Sequence, residues 1–380
     1  MTTEPTYRRG DSGPAVAAIR ERLARLGLID TGTFPVAGES VFDEAVETAV
    51  RHFQQTRRTT VDGMVTPGTM RLLEEASWRL GDRDLSPALE PAFGDDVAEL
   101  QRALLSLGFD CGRVNGAYDP TTVAAVREFQ RNVGLPPTGV TDLATVQALN
   151  RLNRRMAHGG LLHAMRESEA IQNAGPALPG KTVVLDPGHG GPDAGVTVAG
   201  QTEAEIVYDI ADRVRTRLEK LSVTTHMSHG PGGSPDDRRR AGKANELGAD
   251  LLISLHCDSH TNPAASGVAA FYYGNDKFGH SSPTGERFAG LVQREITART
   301  GLPNLGTHGM TWDVLRYTQM PAVRIELGYL TSPNDAALLA SQRFRESAAD
   351  AVVVAVQRLY LPPESDAPTG LLRLAELRAH

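Results

Sequence analysis

Two histidines and two glutamates in the second half of the chain have the types and spacing to do chemistry. His189 lies in the glycine-rich turn LDPGHGG (185–191), after a short apolar stretch, and Glu203, His256 and Glu326 follow after 14, 53 and 70 residues. Two imidazoles and one carboxylate form a known catalytic zinc set that leaves a fourth position for water. A second carboxylate near that water can act as general base and then as acid to a leaving amine.

Each of these residues also has a simpler interpretation. His256 follows an apolar run and could be a core histidine, and Glu203 could be an ordinary first-turn acid favoured by the helix dipole. Glu326 lies inside an apolar strand, where an unpaired acid costs several kcal/mol, although Arg324 nearby could be its structural partner. The turn around His189 is not a phosphate-binding loop, because no Gly-Lys-Ser/Thr follows it. The four residues together are much more specific than any one.

The elements around these residues alternate between strands and helices. Strands are predicted over 181–185, 223–227, 250–256, 267–273 and 322–327, and helices over 202–221, 237–247, 286–299 and, for the most part, 336–359. This alternation predicts an α/β domain with a mostly parallel sheet flanked by helices. In such sheets, sites gather at the carboxyl ends of the strands, where His189 and His256 are expected.

The first 150 residues contain a degenerate repeat. VAAI (16–19) matches VAEL (97–100) at an offset of 81, and AVRHFQ (49–54) matches AVREFQ (125–130) at an offset of 76. The change of offset places five extra residues between the first two helices of repeat one. Apolar residues at three- and four-residue spacing predict three helices in each repeat, so the N-terminal part should hold two small all-α units.

Both repeats resemble the peptidoglycan-binding type 1 domain, a three-helix module. Repeat two matches its pattern through LQ (100–101), LG (107–108), NGAY (115–118) and FQ (129–130), whereas repeat one has Arg20 where the family usually has glutamine. The resemblance implies binding to peptidoglycan. Phe53 and Phe129 recur at helical spacing, which favours a role in the core rather than in binding.

The second half resembles the zinc-dependent N-acetylmuramoyl-L-alanine amidases of type 3. The matching segments are LDPGHGGPDAG (185–195), TEAE (202–205), DDRRRAGKANELGADLLISLHCD (236–258), SGV (266–268) and PAVRIELGYLTSPND (321–335). The resemblance implies that His189, Glu203 and His256 bind Zn²⁺ and that Glu326 is catalytic. It also implies hydrolysis of the amide between N-acetylmuramic acid and L-alanine in peptidoglycan or its fragments.

Three short segments depart from the usual pattern of that family. They are His256-Cys257-Asp258, Gly267-Val268-Ala269 and Met227-Ser228-His229, in place of His-Ala-Asn, Gly-Val-Glu and a Thr-Arg pair. These positions are expected at the edges of the pocket. They bear on substrate fit and rate more than on metal binding.

Composition restricts the remaining function classes. The 380 residues carry a net charge of −7, which argues against general binding to nucleic acid or to anionic membranes. The basic run Arg238-Arg239-Arg240 is interpreted as a solvated helix start. Cys111 and Cys257 fall in different predicted domains, so no disulfide framework is indicated. No stretch is apolar enough for a transmembrane helix, and the N-terminus lacks a signal-peptide h-region, so the chain as written is predicted to be cytoplasmic unless another route exports it.

The predicted domains are 7–78 and 90–152 for the two repeats, 153–180 for a connector with a polar helix over 156–170, and 181–361 for the amidase-like domain. Residues 362–380 form an acidic, proline-containing tail, predicted to be flexible. The layout is similar to that of actinobacterial cytoplasmic homologues with a regulatory role. The alternative function is therefore a regulator of peptidoglycan precursor synthesis with little or no hydrolysis.

The predicted ligands are peptidoglycan, muropeptides or lipid-linked precursors, and in the regulatory alternative a cell-wall synthesis enzyme would be a protein partner. A phosphate on Thr369 in the tail could then recruit a partner that reads phosphothreonine. An ordinary tail without such a role explains the same residues.

Overall fold

Two helical repeats and an α/β domain follow one another along the chain. The structure is a computed structural model that describes residues 5–29, 40–87, 91–153, 178–275 and 280–361. The helix predicted over 156–170 and the candidate phosphorylation site Thr369 lie outside the described residues. The described part divides into two units, one holding the repeats and the other the α/β domain, and each is considered by itself.

Each repeat forms three helices, as its periodicity predicts. The helices are α1 (Pro14–Arg25), α2 (Glu44–Thr56), α3 (Pro67–Ala76), α4 (Asp95–Ser106), α5 (Pro120–Asn132) and α6 (Leu143–Asn153). Asp43 and Asp119 cap α2 and α5 with their side chains, and Thr66 caps α3. Side-chain caps at these positions satisfy backbone N–H groups that the first helical turn leaves free.

The glutamine of each FQ pair joins the second helix of its repeat to the loop before the third. Gln54 Oε1 accepts a hydrogen bond from Gly63 N at 2.8 Å, and Gln130 Oε1 accepts one from Gly139 N at 2.9 Å. Both glycines have a positive φ, +77° and +73°, which other residues rarely adopt. The FQ and glycine positions of the repeat pattern are thus coupled through one buried contact.

Arg20 of repeat one stands where the family usually has glutamine. It contacts the loop of repeat one that corresponds to the loop contacted by the glutamine in repeat two. Gln101, buried in α4, accepts a hydrogen bond from Gly116 N at 2.9 Å in the loop before α5. Arg20 occupies the matching position and donates to Val41 O at 3.1 Å and to Asp43 at 2.8 Å before α2. The substitution keeps a helix-to-loop contact but makes it charged and partly exposed.

The phenylalanine of each FQ pair is a core residue. Phe53 and Phe129 are 2% and 0% exposed, which agrees with the interpretation that both are core anchors.

The two repeats also contact each other. Arg57, after α2, forms a bidentate ion pair with Asp95, at the start of α4, with both N–O distances 2.7 Å. This pair is buried, so it belongs to the interior of the helical unit.

The α/β domain is built on a mostly parallel sheet. Its strands are β1 (Thr182–Pro187), β2 (Thr197–Val198), β3 (Gln201–Thr202), β4 (Thr224–Met227), β5 (Leu251–Asp258), β6 (Val268–Asn275), β7 (His280–Ser281), β8 (Asn304–Met310) and β9 (Ala322–Tyr329). The central order is β4-β1-β5-β9-β6, with β8 beside β6, and β2 pairs with β3 apart from the sheet. Within the order β4-β1-β5-β9-β6 and between β6 and β8, neighbours run parallel except β6 against β9, and β2 pairs antiparallel with β3. This confirms the predicted fold class.

Helices cover both faces of this sheet. They are α7 (Glu203–Glu219), α8 (Asp237–Glu246), α9 (Pro283–Thr300), α10 (Asp313–Arg316), α11 (Pro333–Ala340) and α12 (Gln342–Tyr360). One face buries alternate residues such as Leu185, Ile253 and Ile325 against α7, α9 and α12. The other buries Val184 and Leu252 in a smaller cluster with α10. Among the described residues, no helix combines the length and the apolar character needed to cross a bilayer.

The domain differs from the prediction in a divided helix and an additional long strand, besides the short elements β2, β3, β7 and α10. The helix predicted over 336–359 is two helices, because Ser341, with ψ 127°, is extended and separates α11 from α12. Strand β8 was missed, since its sequence, NLGTHGM, contains two glycines and little apolar alternation. It forms by pairing with β6, a partner that local periodicity does not reveal.

Candidate metal centre

The carboxyl edge of the sheet carries the polar residues singled out in the sequence. His256 and Glu326 are Cα partners on the adjacent parallel strands β5 and β9, and Ala269 of β6 continues that row beyond Glu326. Gly188 N donates to Leu255 O at 2.8 Å, so the turn that carries His189 leaves β1 beside the end of β5. Strand pairing alone therefore brings His256, Glu326 and the His189 turn to one edge.

Three of the four residues form a compact cluster of metal-ligating groups. One ligand atom from each of His189, Glu203 and His256 lies within 4.8 Å of the other two. Glu203 Oε2 is 3.1 Å from His189 Nε2, and Glu203 Oε1 is 2.9 Å from His256 Nδ1. One carboxylate thus bridges two imidazole nitrogens. A single ion could replace these hydrogen bonds with three coordinate bonds.

Glu203 is oriented by its position at the start of α7. Thr202 caps the helix, and Glu203 is only 1% exposed. Its carboxylate also accepts hydrogen bonds from Val196 N at 3.1 Å and Cys257 N at 3.0 Å. Burial by itself would raise the pKa of Glu203, but the hydrogen bonds and charges of the two histidines outweigh it and hold that pKa well below its usual value. The carboxylate is therefore ionised and ready to bind a cation.

His189 is fixed by a carboxylate on its other ring nitrogen. Its Nδ1 lies 2.8 Å from Asp193 Oδ2, and its backbone has a φ of +60°, which is uncommon for a residue other than glycine. A Cβ at Gly195 would lie 2.6 Å from Glu203 Oε2, so this position requires glycine. Burial lowers the pKa of His189, but hydrogen bonds and charges from Glu203 and Asp193 raise it above the usual value.

Glu326 has one oxygen in an ion pair and one without a partner. Arg324 Nε donates to Oε1 at 2.8 Å, whereas Oε2 is buried and has no hydrogen-bond partner among the described residues. A buried carboxylate oxygen without a donor is costly unless a ligand, water or ion supplies the missing contact. Glu326 is therefore buried, and only one of its two carboxylate oxygens has a hydrogen-bond partner among the described residues.

A buried ion pair beneath the His189 turn was missed by the sequence analysis. Arg240 is 4% exposed, and its Nη1 group donates to Asp186 Oδ1 at 2.8 Å and to Pro187 O at 2.7 Å. Its Nη2 group donates to His189 O at 3.1 Å. The interpretation of Arg238-Arg239-Arg240 as a solvated run was wrong for Arg240, which lies on the inner face of α8. The signal was the acid at 186, inside an apolar strand with no partner nearby in sequence.

An open cleft of about 580 Å³ adjoins this edge of the domain. Its lining includes the His189 turn, residues of the first turns of α7, and His229 and Pro231 from the loop after β4. The departures at Ser228 and His229 meet the same turn: Ser228 Oγ donates to Asp186 at 2.5 Å, and His229 Nε2 lies 2.7 Å from Pro187 O. Of the four residues singled out in the sequence, His189 lines this cleft, whereas Glu203, His256 and Glu326 are not part of its lining.

The fold and the site together define a class of protein. Paired three-helix modules precede an α/β domain with a His-Glu-His cluster at the carboxyl edge of a mostly parallel sheet, which is the organisation of a cell-wall amidase with peptidoglycan-binding modules. Comparison with known families agrees. N-acetylmuramoyl-L-alanine amidase matches residues 183–358, and the putative peptidoglycan binding domain matches residues 12–73 and 93–149.

One similar protein extends this result to nearly the whole chain, and others match about half of it. The N-acetylmuramoyl-L-alanine amidase CwlM of Mycobacterium tuberculosis is 43% identical over 384 residues, which cover 98% of this chain and 94% of that protein. LytC of Bacillus subtilis, also an N-acetylmuramoyl-L-alanine amidase, is 28% identical over 46% of this chain and 34% of its own. The solved structure of Ami1 from Mycobacterium smegmatis is 26% identical, with a TM-score of 0.44, over 48% of this chain and 98% of that one. The chain belongs to the N-acetylmuramoyl-L-alanine amidase family.

Proposed function

We propose that this protein is a zinc-dependent amidase that hydrolyses the bond between N-acetylmuramic acid and L-alanine. His189, Glu203 and His256 would hold the metal, and Glu326 would act as general base and acid. The observation that carries the proposal is the cluster of three ligand groups within 4.8 Å of one another, of which Glu203 and His256 are buried and His189 is half-buried. Glu326, with its unpartnered Oε2, is the strand partner of one of them.

The donor set fits zinc. Imidazole nitrogen and carboxylate oxygen are the ligands of catalytic zinc sites with three protein ligands, and they leave one position open. Asp193 on the far nitrogen of His189 is the kind of outer carboxylate that orients a metal-bound histidine. When bound, zinc would supply Lewis acidity that polarises the amide carbonyl and acidifies water.

Glu326 is suited to move the proton during hydrolysis. It would accept a proton from the attacking water as the oxygen adds to the lactyl carbonyl carbon. It would then deliver that proton to the alanine nitrogen as the C–N bond breaks, giving a free carboxylate and a free amine. The ion pair with Arg324 engages only Oε1, so Oε2 remains to carry the proton.

The substrate class follows from the two parts of the chain. The open cleft beside His189 has the volume of an ordinary ligand site, which suits a muropeptide fragment. The two helical modules would hold the enzyme on peptidoglycan. Phe53 and Phe129 are buried, so such binding must use other surface residues of the modules.

The regulatory alternative is supported by the sequence alone. Thr369, on which a phosphothreonine-reading partner would depend, lies outside the described residues. The donor set favours hydrolysis, because three potential metal ligands with a further carboxylate on the neighbouring strand are the groups that metal-assisted amide hydrolysis requires. Lipid-linked precursors or a cell-wall synthesis enzyme remain the partners to test if hydrolysis is absent.

The test combines metal analysis with turnover on one preparation. The full-length protein, the His256→Ala variant and the Glu326→Gln variant are purified, and bound zinc is measured by mass spectrometry of the metal. The same samples are incubated with muropeptides, and release of stem peptide is followed. We expect about one zinc per chain in wild type and Glu326→Gln, much less in His256→Ala, and turnover only in wild type.

Two results would count against the proposal. Equal zinc content in wild type and His256→Ala would show that the cluster is not the metal site. Zinc-loaded wild type with no more turnover than Glu326→Gln would direct attention to the regulatory alternative.

A further inference from the structure

Arg324 places a guanidinium beside the proposed catalytic carboxylate. It lies on β9, where it is the strand partner of Ser254 and of Phe271, one row behind Glu326 on the same face of the sheet. Its Nε and Nη2 atoms both lie 2.8 Å from Glu326 Oε1. Within the described part of the chain, that carboxylate is the one acceptor that the guanidinium contacts. The Nη1 group is left for a ligand, and the Arg324 side chain is 21% exposed.

Aromatic side chains hold this guanidinium in place. Its carbon lies 4.6 Å from the ring centroid of Trp312, and the Phe271 ring packs against Trp312 with centroids 4.7 Å apart. A cation over an indole face is attracted by the negative face of the ring, which restricts the guanidinium without using its N–H groups. Two contacts, one ionic and one aromatic, therefore orient Arg324, and its Nη1 group still offers N–H donors to a ligand.

A planar guanidinium with free N–H groups recognises carboxylates above other acceptors. We propose that Arg324 binds a carboxylate of the substrate and makes the enzyme prefer stem peptides that carry one near the scissile bond. This inference rests on the proposed amidase function, since it identifies which substrate that site would accept. It gives Arg324 a role in specificity beyond its ion pair with Glu326.

The position of Arg324 indicates which carboxylate this would be. Glu326 would deliver its proton to the alanine nitrogen, so a group bound to Arg324 lies within about one or two residues of that nitrogen, at roughly 3.5 Å per residue. On the glycan side, the carboxyl group of muramic acid is consumed in the amide itself. On the peptide side, the residue after L-alanine is the first to offer an α-carboxyl group, either free or amidated. The free carboxylate is the form that Arg324 would select.

The two tryptophans of the chain, Trp78 and Trp312, allow a direct binding measurement. In a Trp78→Phe background, all tryptophan fluorescence comes from Trp312, over which Arg324 lies. The full-length protein is titrated with L-alanyl-γ-D-glutamate and, separately, with the same dipeptide amidated at its α-carboxyl group. We expect the free acid to bind roughly 10- to 100-fold more tightly than the amide, the range for a charge-assisted hydrogen bond.

Two variants then separate recognition from folding. Arg324→Gln should bind both dipeptides equally, and Arg324→Lys, which keeps the charge without the fork, should retain only part of the difference. Arg217→Gln is the matched control, because Arg217 forms an ion pair with Asp350 at 2.6 Å and is 25% exposed, similar to Arg324. It should keep the full preference. Equal binding of the two dipeptides by the parent protein, or an unchanged preference in Arg324→Gln, would overturn the inference.

Kinetics on intact muropeptides give a measurement that needs no variant. The ratio of kcat/KM for free-acid and α-amidated substrates should favour the free acid, and a ratio near one would overturn the inference. If no muropeptide is cleaved but the dipeptides are still distinguished through Arg324, the proposed amidase function fails and the carboxylate subsite stands. If both substrates are cleaved equally, the amidase function stands and the subsite fails.

Discussion

His256 and Glu326 are Cα partners on the parallel strands β5 and β9, so the sheet itself fixes the spacing between a proposed metal ligand and the proposed general base. Neighbouring parallel strands are about 4.8 Å apart, so the two residues lie side by side at the carboxyl edge of the sheet. The positions do not depend on a mobile loop. Removing either functional group should therefore affect chemistry more than architecture.

Glu326→Gln should abolish turnover and spare metal binding. Glutamine has nearly the same shape and can still contact Arg324, but it cannot accept the proton from water. We expect kcat to fall by about 10²- to 10⁴-fold, the usual contribution of a general base. Stem-peptide release from muropeptides measures the loss, and Glu286→Gln, an exposed acid in the first turn of α9, is the control. A Glu326→Gln enzyme with more than a tenth of wild-type turnover would exclude the proposed role.

Asp193→Asn should weaken zinc binding without disturbing the fold. Asp193 is half-exposed and contacts the ring nitrogen of His189 that faces away from the cluster, at 2.8 Å. Loss of such an outer carboxylate typically lowers metal affinity by about 10- to 100-fold. Competition with a chromophoric chelator gives the affinity. Asp212→Asn, which removes an acid from the cleft that His189 lines, should leave the affinity unchanged, and equal affinities for both variants would contradict the role of Asp193.

Arg240→Gln should destabilise the α/β domain strongly. The substitution leaves Asp186, which is 1% exposed, as a buried charge without its main partner. Breaking a buried pair in this way costs about 3–5 kcal/mol of unfolding free energy. Urea unfolding followed through Trp312 in a Trp78→Phe background measures the change in this domain.

The neighbouring arginine provides the control for this experiment. Arg239 has a side chain that is 78% exposed, and Arg239→Gln should change the stability by no more than about 0.5 kcal/mol. Similar losses for the two variants would mean that burial of Arg240 does not determine its contribution.

Much of the fold could be predicted because the relevant signals are local. The apolar periodicity of Val16, Ile19 and Leu23 marks the first helix, and all three residues are buried in the core of repeat one. The apolar run LLISL (251–255) likewise marks the central strand β5. Strand β8 was missed for the opposite reason. It is a strand only because β6 lies beside it, and no property of its own residues requires an extended conformation.

The candidate site likewise contains residues that could be predicted from the sequence and one that could not. His189 and His256 were recognisable because each follows an apolar strand, and the parallel sheet brings such positions to one edge. The partner of Asp186 was not recognisable, since Arg240 is 54 residues away and belongs to a run of three arginines. Only the packing of α8 against the sheet decides which of the three points inward.

Stability of the α/β domain should fall in acid partly through Asp186. Burial alone would raise the pKa of Asp186, but the charge of Arg240 and hydrogen bonds from Ser228, Arg240 and Ser254 outweigh it and lower that pKa. A group with a lowered pKa stabilises the fold above its unfolded value, near 3.9, and that contribution is lost as the pH falls through the folded pKa. Asp186→Asn should therefore be less stable than wild type at pH 7, and the difference should shrink below about pH 4.

Urea unfolding at several pH values between 7 and 3 tests this expectation, again through Trp312 in the Trp78→Phe background. The free energy of unfolding of wild type should decrease more steeply with acid than that of Asp186→Asn. Two parallel pH curves would show that Asp186 does not contribute to the acid sensitivity of the domain.

The two helical repeats should unfold less cooperatively when the Arg57–Asp95 pair is broken. This bidentate pair joins repeat one to repeat two, and both side chains are only 9% exposed. Arg57→Gln leaves Asp95 buried without its bidentate partner and should cost about 3–5 kcal/mol. Unfolding is followed through Trp78 in a Trp312→Phe background. Arg9→Gln, which breaks an exposed pair with Glu44 inside repeat one, should cost no more than about 1 kcal/mol. Equal effects of Arg57→Gln and Arg9→Gln would show that the contact between the repeats adds little to their stability.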